Sequence, residues 1–315
     1  MAAAERVNVD NLVRAETNGM FSGLAAQAGG VNLWHHSRDP VPIDEQTIIR
    51  MNRDTLYSLA IVDARAGAAL TLPDAGDRYL SAMVIDQDHY VLDVFHEPGD
   101  HELAAQEQSA PYVAVGVRIL VDPSDEDDLK DVHSLQDGLA LSASSAVPFS
   151  LPSYDEASFN ETREAVLTLA RGMSDASRAF GSRESVDPIH HLLGIAGWGG
   201  LPVSETVYLN VEPNLPAGTY RLDVPARVPV DAFWSVSMYN RDGFFEKNDR
   251  DAYTVNSVTA ERNDDGSVTI YFADVCDDRP NCLPITDGWN YTVRLYRPRA
   301  EVRDGSWTFP EPQPV

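Results

Sequence analysis

From Tyr112 to Val121 the chain alternates, with Val113, Val115, Val117, Ile119 and Val121 falling on one side. Side chains of a strand point alternately to its two faces, so this spacing predicts a strand with one face buried. Shorter apolar runs predict four more strands in the first half, at Thr55–Ala64, Ala68–Leu72, Arg78–Ile85 and Tyr90–Phe95. The second half offers five, at Thr206–Val211, Thr219–Val224, Ala232–Asn240, Ser267–Ala273 and Tyr291–Tyr296. Turn-forming clusters separate them: "PDAGD", "EPGD" and the hairpin signal "NDDGS". Helical spacing is rarer. Leu12, Val13, Met20 and Leu24 share a side of a helix from Val9 to about Gly23, with Asp10 as its cap. The acidic "DPSDEDDLKD" starts a second helix, running to Leu139. Ser153 and Glu156 offer a capping box for a third, which Val166, Leu169, Met173 and Phe180 extend over 156–180.

Polar punctuation divides these elements. Pro148 and Pro152 mark a linker, and "HHLLGIAGWGGLPVS" reads as a glycine-rich connection. The chain is therefore expected to be mainly β. A β-rich domain with an N-terminal helix covers 1–150, a helical linker 151–195, and a second β-rich domain 196–315. A loose internal echo links "LTLPDAGDRYLSAMVIDQD" to "RLDVPARVPVDAFWSVSMYNRD": a short strand, a proline turn, then a strand with a polar tip.

Charge narrows the partners. The 315 residues carry 24 Lys and Arg against 49 Asp and Glu, a formal net charge of −25. Such a field repels nucleic-acid backbones and anionic lipid surfaces, so neither is expected as a partner. No apolar run approaches the ~20 residues that span a bilayer. The start, "MAAAERVNVDN", shows no basic region followed by an apolar stretch. The expectation is a cytoplasmic protein as the sequence stands, or a periplasmic or secreted one if a leader was removed. Cys276 and Cys282 lie in "DVCDDRPNCLP". Two thiols do not make a zinc site. They form either a short disulfide loop or a pair of reduced thiols, and their isolation in an otherwise cysteine-free chain favours the bridge.

Four stretches carry a resemblance. "RMNRDTLYS", "FWSVSMYNRDGFFEKN", "NCLPITDGWNYTVRLYRPR" and "DGSWTFPEPQPV" resemble the bacterial proteins that join a DUF1254 domain to a DUF1214 domain. The resemblance covers nearly the whole chain, including "VDPIHHLLGIAGWGG". It implies two β-sandwich or jelly-roll-like halves with helices around the linker, and a hydrolytic role on ester-like or anionic compounds. It supplies no agreed catalytic residues, so these are argued from chemistry.

Arg50, Asn52, Arg53 and Asp54 stand at the mouth of an apolar strand. An arginine can fork onto an oxyanion, and asparagine adds donors and an acceptor. The group reads either as a polar pocket or as an Arg53–Asp54 turn that caps a sheet edge. In "VIDQDHYVLDVFH", strand alternation puts Gln87, His89, Val91 and Asp93 on one face. His89 is a candidate general acid or base with Asp93 as its orienting carboxylate. A metal site of His89, Asp93 and His96 lacks any recognised ligand spacing, and no metal or cofactor is expected. His35 and His36 are adjacent on an extended stretch, so at most one would enter a site; His96 and His101 read as turn residues, and His190 and His191 as helix or interface residues. In the second half, Ser237 and Tyr239 share a face beside Asn240, Arg241 and Phe244, and Trp289 with Tyr291 offers an aromatic wall. No G-x-S-x-G elbow and no nucleotide fingerprint is present. The resulting expectation is a cofactor-independent hydrolase or lyase with a pocket between its halves. His89 moves a proton, Tyr57, Tyr239 and Asp54 assist, and Arg50, Asn52 and Arg53 hold an anionic or ester-like small molecule. Asn240, Phe244 and Trp289 complete the substrate contacts. The competing expectation is a non-catalytic protein that binds a small molecule or carbohydrate. Either is compatible with a homo-oligomer.

Overall fold

The computed structural model describes residues 4–46, 49–104, 110–173 and 176–315. The chain forms two compact units that do not follow chain order. One comprises Met1–Arg38 with Leu56–Pro202, the other Asp39–Thr55 with Val203–Val315. The class is mainly β, as the alternation implies.

In the first unit a five-stranded sheet has the order β1-β2-β7-β4-β5. Its strands are β1 (His35–His36), β2 (Thr55–Asp63), β4 (Leu80–Asp86), β5 (Val91–Phe95) and β7 (Tyr112–Leu120). A three-stranded sheet has the order β6-β3-β8, with β3 (Ala68–Leu72), β6 (Gly99–Leu103) and β8 (Ala140–Ala143). Val113, Val115, Val117, Ile119 and Val121 all reach the core, with Leu70 and Leu72 from β3 and Val132 from α2 (Glu126–Asp137). Helix α2 starts where its acids predict, because Asp125 accepts the main-chain N–H groups of Asp127 and Asp128.

The other helices differ from their sequence expectations at the ends. Helix α1 runs Leu12–Ala28, not 9–23. Asp10 does not cap it, and its stop is Gly29, whose positive φ lets the N–H turn back onto Ala25 and Ala26. Helix α3 covers Glu156–Ala170 and is capped by Asp155, which accepts from Ser158 N. It ends ten residues before Phe180; residues 174 and 175 lie outside the described ones. Phe180 instead packs beneath the glycine run that follows α4 (Pro188–Leu193). A Cβ on Gly194 or Gly197 would lie 3.4 Å from its ring, and one on Gly200 only 2.5 Å. "GIAGWGG" is thus a close-packing surface of the first unit, its glycines spaced by three to clear one aromatic ring.

The second unit is a β-sandwich. One sheet has the order β14-β13-β10-β16, from β10 (Thr219–Val224), β13 (Val268–Ala273), β14 (Cys282–Pro284) and β16 (Gln313–Pro314). The other has the order β12-β11-β15-β9, from β9 (Thr206–Val211), β11 (Trp234–Tyr239), β12 (Thr254–Asn256) and β15 (Asn290–Tyr296). Leu222, Ile270 and Phe272 from the first sheet meet Val236, Met238, Val293 and Leu295 from the second in one core. Cys276 and Cys282 form a disulfide across the loop between β13 and the parallel strand β14. The segment before β2 belongs to this unit too. Gln46 exchanges two hydrogen bonds with the Phe245 main chain, and Arg50 N donates to Gly243 O at 2.7 Å.

Candidate functional site

Strand alternation gives the sheet of β11, β12, β15 and β9 two unlike faces. Trp234, Val236 and Met238 enter the sandwich core. Ser235, Ser237 and Tyr239 must then point the other way. Residues directly opposite in an antiparallel pair share a face. Ser235 lies opposite Asn256 and Arg294, Ser237 opposite Thr254 and Thr292, and Tyr239 opposite Asn290. The face away from the core is therefore polar throughout, and all of these residues except the half-buried Thr254 are buried. Buried polar groups need partners.

Arg294, only 3% exposed, organises them. Its Nη1 donates to Ser237 Oγ at 2.8 Å, and its Nη2 to Tyr239 Oη at 2.8 Å. Nη2 also reaches the main-chain carbonyls of Arg50 at 2.7 Å and Met51 at 3.2 Å. The Tyr239 hydroxyl donates to the Met51 carbonyl at 2.6 Å. Arg50 is held in the left-handed region, with φ 54°. This answers why so many polar groups precede an apolar strand: the polar face receives their backbone.

The side chains of the segment divide. Arg50 turns back toward the surface, its Nε 3.3 Å from Asn290 Oδ1 and its Nη2 3.3 Å from the exposed Glu212. Asn52 caps the turn, accepting from Asp54 N at 3.0 Å and donating to Thr55 Oγ1 at 2.9 Å. Arg53 donates to the Val41 carbonyl and lies 5.0 Å from the centre of the Tyr253 ring. The Arg53–Asp54 ion pair of the alternative, sheet-edge reading does not form. Asp54 goes inward, 1% exposed, and its Oδ1 accepts from Thr254 Oγ1 at 3.0 Å and Asn256 Nδ2 at 3.3 Å. Its Oδ2 is buried without a hydrogen-bond partner among the described residues.

Other expected site residues have structural surroundings. Burial pushes the Tyr239 phenol above its usual range, against the pull of Arg294. With its proton on a carbonyl, Tyr239 is a strut and not a proton carrier. Asn240 caps a turn, accepting from the N–H groups of Asp242 and Phe244, and Phe244 is half-buried in that turn. Trp289 sits in the sandwich core against Phe272, 4.9 Å between ring centres, and so is no wall of the polar face.

His89 and Tyr57 lie in the first unit. Tyr57 is on β2 beneath the Arg118 guanidinium, 5.4 Å from the ring centre. His89 is not on a strand. It occupies the β4–β5 turn with φ 66°, because Asp86 caps that turn through the N–H groups of Asp88 and Tyr90. The imidazole is 2% exposed and stacks on Trp198 at 5.4 Å and His191 at 5.8 Å. Its Nε2 accepts from Gly199 N at 2.9 Å, so the proton of the neutral ring is on Nδ1. Desolvation, then His191, lowers its pKa to about 3. Asp93 is exposed on β5 and does not orient it. His89 joins the hairpin to the glycine run: its one lone pair is already engaged, and its Nδ1 is buried without a hydrogen-bond partner among the described residues. Among the described residues no three His, Cys, Asp or Glu side chains are grouped to hold a metal ion. No helix among them is long and apolar enough to cross a membrane.

The family described as a protein of unknown function, DUF1254, matches residues 31–107, and a second so described, DUF1214, matches 210–300. The chain is a DUF1254–DUF1214 protein. Asp54 lies in the DUF1254 match, whereas Ser235, Tyr239, Asn256 and Arg294 lie in the DUF1214 match, so the polar face and the segment it receives draw on both. The crystal structure of the VPA0106 protein from Vibrio parahaemolyticus is similar over 98% of this chain and 100% of that one, at 20% identity and a TM-score of 0.72. That of an uncharacterised protein from Burkholderia cenocepacia is similar over 97% of this chain and 86% of that one, at 19% identity and a TM-score of 0.58. These likenesses show a shared fold. No curated protein matches the chain.

Of the sequence-derived set, the site retains Arg50, Asn52, Asp54 and Tyr239. Arg294, Ser235, Thr254 and Asn256 were missed. The available signal was the lone arginine in "NYTVRLY", a charge in the middle of a strand otherwise suited to burial.

Two outcomes follow from these contacts. Arg294→Gln is expected to lower the unfolding free energy by about 3 kcal/mol or more, since it strips a buried network. Arg50→Gln, which loses a partly exposed pair, is expected to cost about 1 kcal/mol or less. Denaturant titration checks the order, and a larger loss from Arg50→Gln contradicts it. His89 supplies a pH signature. Its folded pKa lies below the unfolded value of 6.5, so its contribution is complete above pH 6.5 and is lost as pH falls toward about 3. Wild-type stability should therefore fall more steeply on acidification than that of His89→Gln, by up to about 1.4 kcal/mol per pH unit. Parallel curves for the two proteins contradict this.

Proposed function

We propose that this DUF1254–DUF1214 protein is a cofactor-independent hydrolase or lyase for a small polar organic molecule, with Asp54 as its general base. The observation that carries the reading is the bare Oδ2 of a carboxylate 1% exposed. Leaving a buried acceptor unmet costs roughly 1–3 kcal/mol, and more for a charged group. Unmet neutral donors occur elsewhere in the chain, at His89 Nδ1 and Trp289 Nε1, but an unmet carboxylate oxygen is the costlier case and the one that suits a reaction site.

The neighbours suit the role. Thr254 and Asn256 fix the carboxylate through Oδ1 and leave Oδ2 to take a proton. The buried Arg294 guanidinium offsets the negative charge. Arg50, with a side chain 25% exposed, is the cation available to an anionic group of the substrate. One observation favours the second reading, a binding protein without turnover. The Tyr239 proton and the Arg294 Nη2 donors are committed to main-chain carbonyls, so no acid stands ready to complement Asp54.

The test is a turnover screen of the purified protein against carboxylic esters, lactones, phosphate and sulfate monoesters and hydroxy acids. The proposal expects turnover of one class, reduced at least ~100-fold in Asp54→Asn at an unchanged melting temperature. Turnover that Asp54→Asn leaves intact removes Asp54 as the base. A retained ligand with no turnover of any class replaces the enzyme reading by the binding one.

A further inference from the structure

A second bare group stands on the same polar face. Ser235 is fully buried, and its Oγ has no hydrogen-bond partner among the described residues. Asn256 links it to Asp54: its Nδ2 donates to Asp54 Oδ1, and it lies directly opposite Ser235 in the β11–β12 register. Arg294 lies opposite Ser235 on the other side.

We infer that the molecule received here is a hydroxyl-rich compound of the polyol or sugar class, which meets Asp54 and Ser235 through a hydroxyl. The inference rests on the reading of Asp54 as the reactive end of the site. An ionised carboxylate only accepts, so the occupant must bring a donor. A carboxylate brings none, and a carboxylate or a phosphate is repelled by its charge. An ammonium or a metal ion would put a second positive charge near Asp54, whose charge the Arg294 guanidinium already opposes. A hydroxyl has neither fault. It donates to Asp54 Oδ2 and, with the same oxygen, accepts from Ser235 Oγ–H. Arg294 adds no direct recognition of an anion here, because its Nη contacts run to Ser237, Tyr239 and the carbonyls of residues 50 and 51. An anionic end of the substrate is left to Arg50.

The geometry of Asp54 makes the test sharp. Thr254 and Asn256 both donate to Oδ1, so an amide at position 54 turns its oxygen to them and its NH2 toward the bare position. Asp54→Asn thus exchanges an acceptor for a donor. The probes are methyl glycosides of the common hexoses, myo-inositol and glycerol, against acetate and methylammonium. Binding to the full chain is read by saturation-transfer NMR and calorimetry. The expected result is that the wild type binds a hydroxyl probe and neither ion. Asp54→Asn should weaken that binding about tenfold or more, and Ser235→Ala about threefold to tenfold, with melting temperatures kept. Asp54→Asn should also gain acetate binding. Failure of every hydroxyl probe, preference of the wild type for acetate or methylammonium, or glycoside affinity unchanged in Asp54→Asn each overturns the inference. The two proposals fail separately. Asp54-dependent glycoside binding without turnover removes the hydrolase or lyase and leaves this inference standing. Asp54-dependent turnover of a substrate without hydroxyls does the reverse.

Discussion

A guanidinium buried within a β-sheet is the constraint on which the second unit depends. Arg294 occupies a strand whose alternate residues fill the sandwich core, so its side chain is delivered to the opposite face with no access to bulk water. Burying such a charge costs several kcal/mol unless acceptors surround it. The acceptors come from Ser237 and Tyr239 on the neighbouring strand and from the carbonyls of residues 50 and 51. A segment distant in sequence is thereby fixed on the sheet. The position of Asp54 follows, because that residue lies three positions beyond the last carbonyl held.

The first unit uses a different device. Its hairpin turn and its glycine run carry few apolar side chains of their own, and they meet through His89 and Phe180. The imidazole accepts from Gly199, and Phe180 fills the space that Gly194, Gly197 and Gly200 leave by having no Cβ. A histidine that serves as an acceptor at a buried joint must stay neutral, and burial ensures this. The residue that attracts attention as a proton carrier is therefore suited to holding loops together. Asp54 is an acidic residue with less conspicuous sequence surroundings, and its Oδ2 is a buried carboxylate oxygen left unmet among the described residues.

Much of the fold was legible because it depends on period. Thr206–Val211, Thr219–Val224 and Ala68–Leu72 fall where their apolar spacing places them, and Val113 to Val121 sends every second residue to the core. Helix ends were less legible, since Gly29 and Asp155 act through local backbone geometry and neighbouring residues offer equally plausible caps. The site was half legible. The polarity of residues 50–54 was visible, but not that their carbonyls, more than their side chains, are what the sheet grips. Long-range register decides that, and it places Arg294 across from Ser235. His89 was misplaced because "IDQDHYV" alternates like a strand, whereas Asp86 folds it into a turn.

The central claim is that Arg294 and Asp54 act as one unit across the segment that the polar face receives. A double-mutant cycle of Arg294→Met and Asp54→Asn measures this directly, through the unfolding free energies of the four proteins. The account predicts that the double mutant is less destabilised than the sum of the single mutants, with a coupling of about 1.5 kcal/mol or more. Additivity within about 0.5 kcal/mol would contradict it, and would make the buried arginine and the bare carboxylate independent features of the sheet.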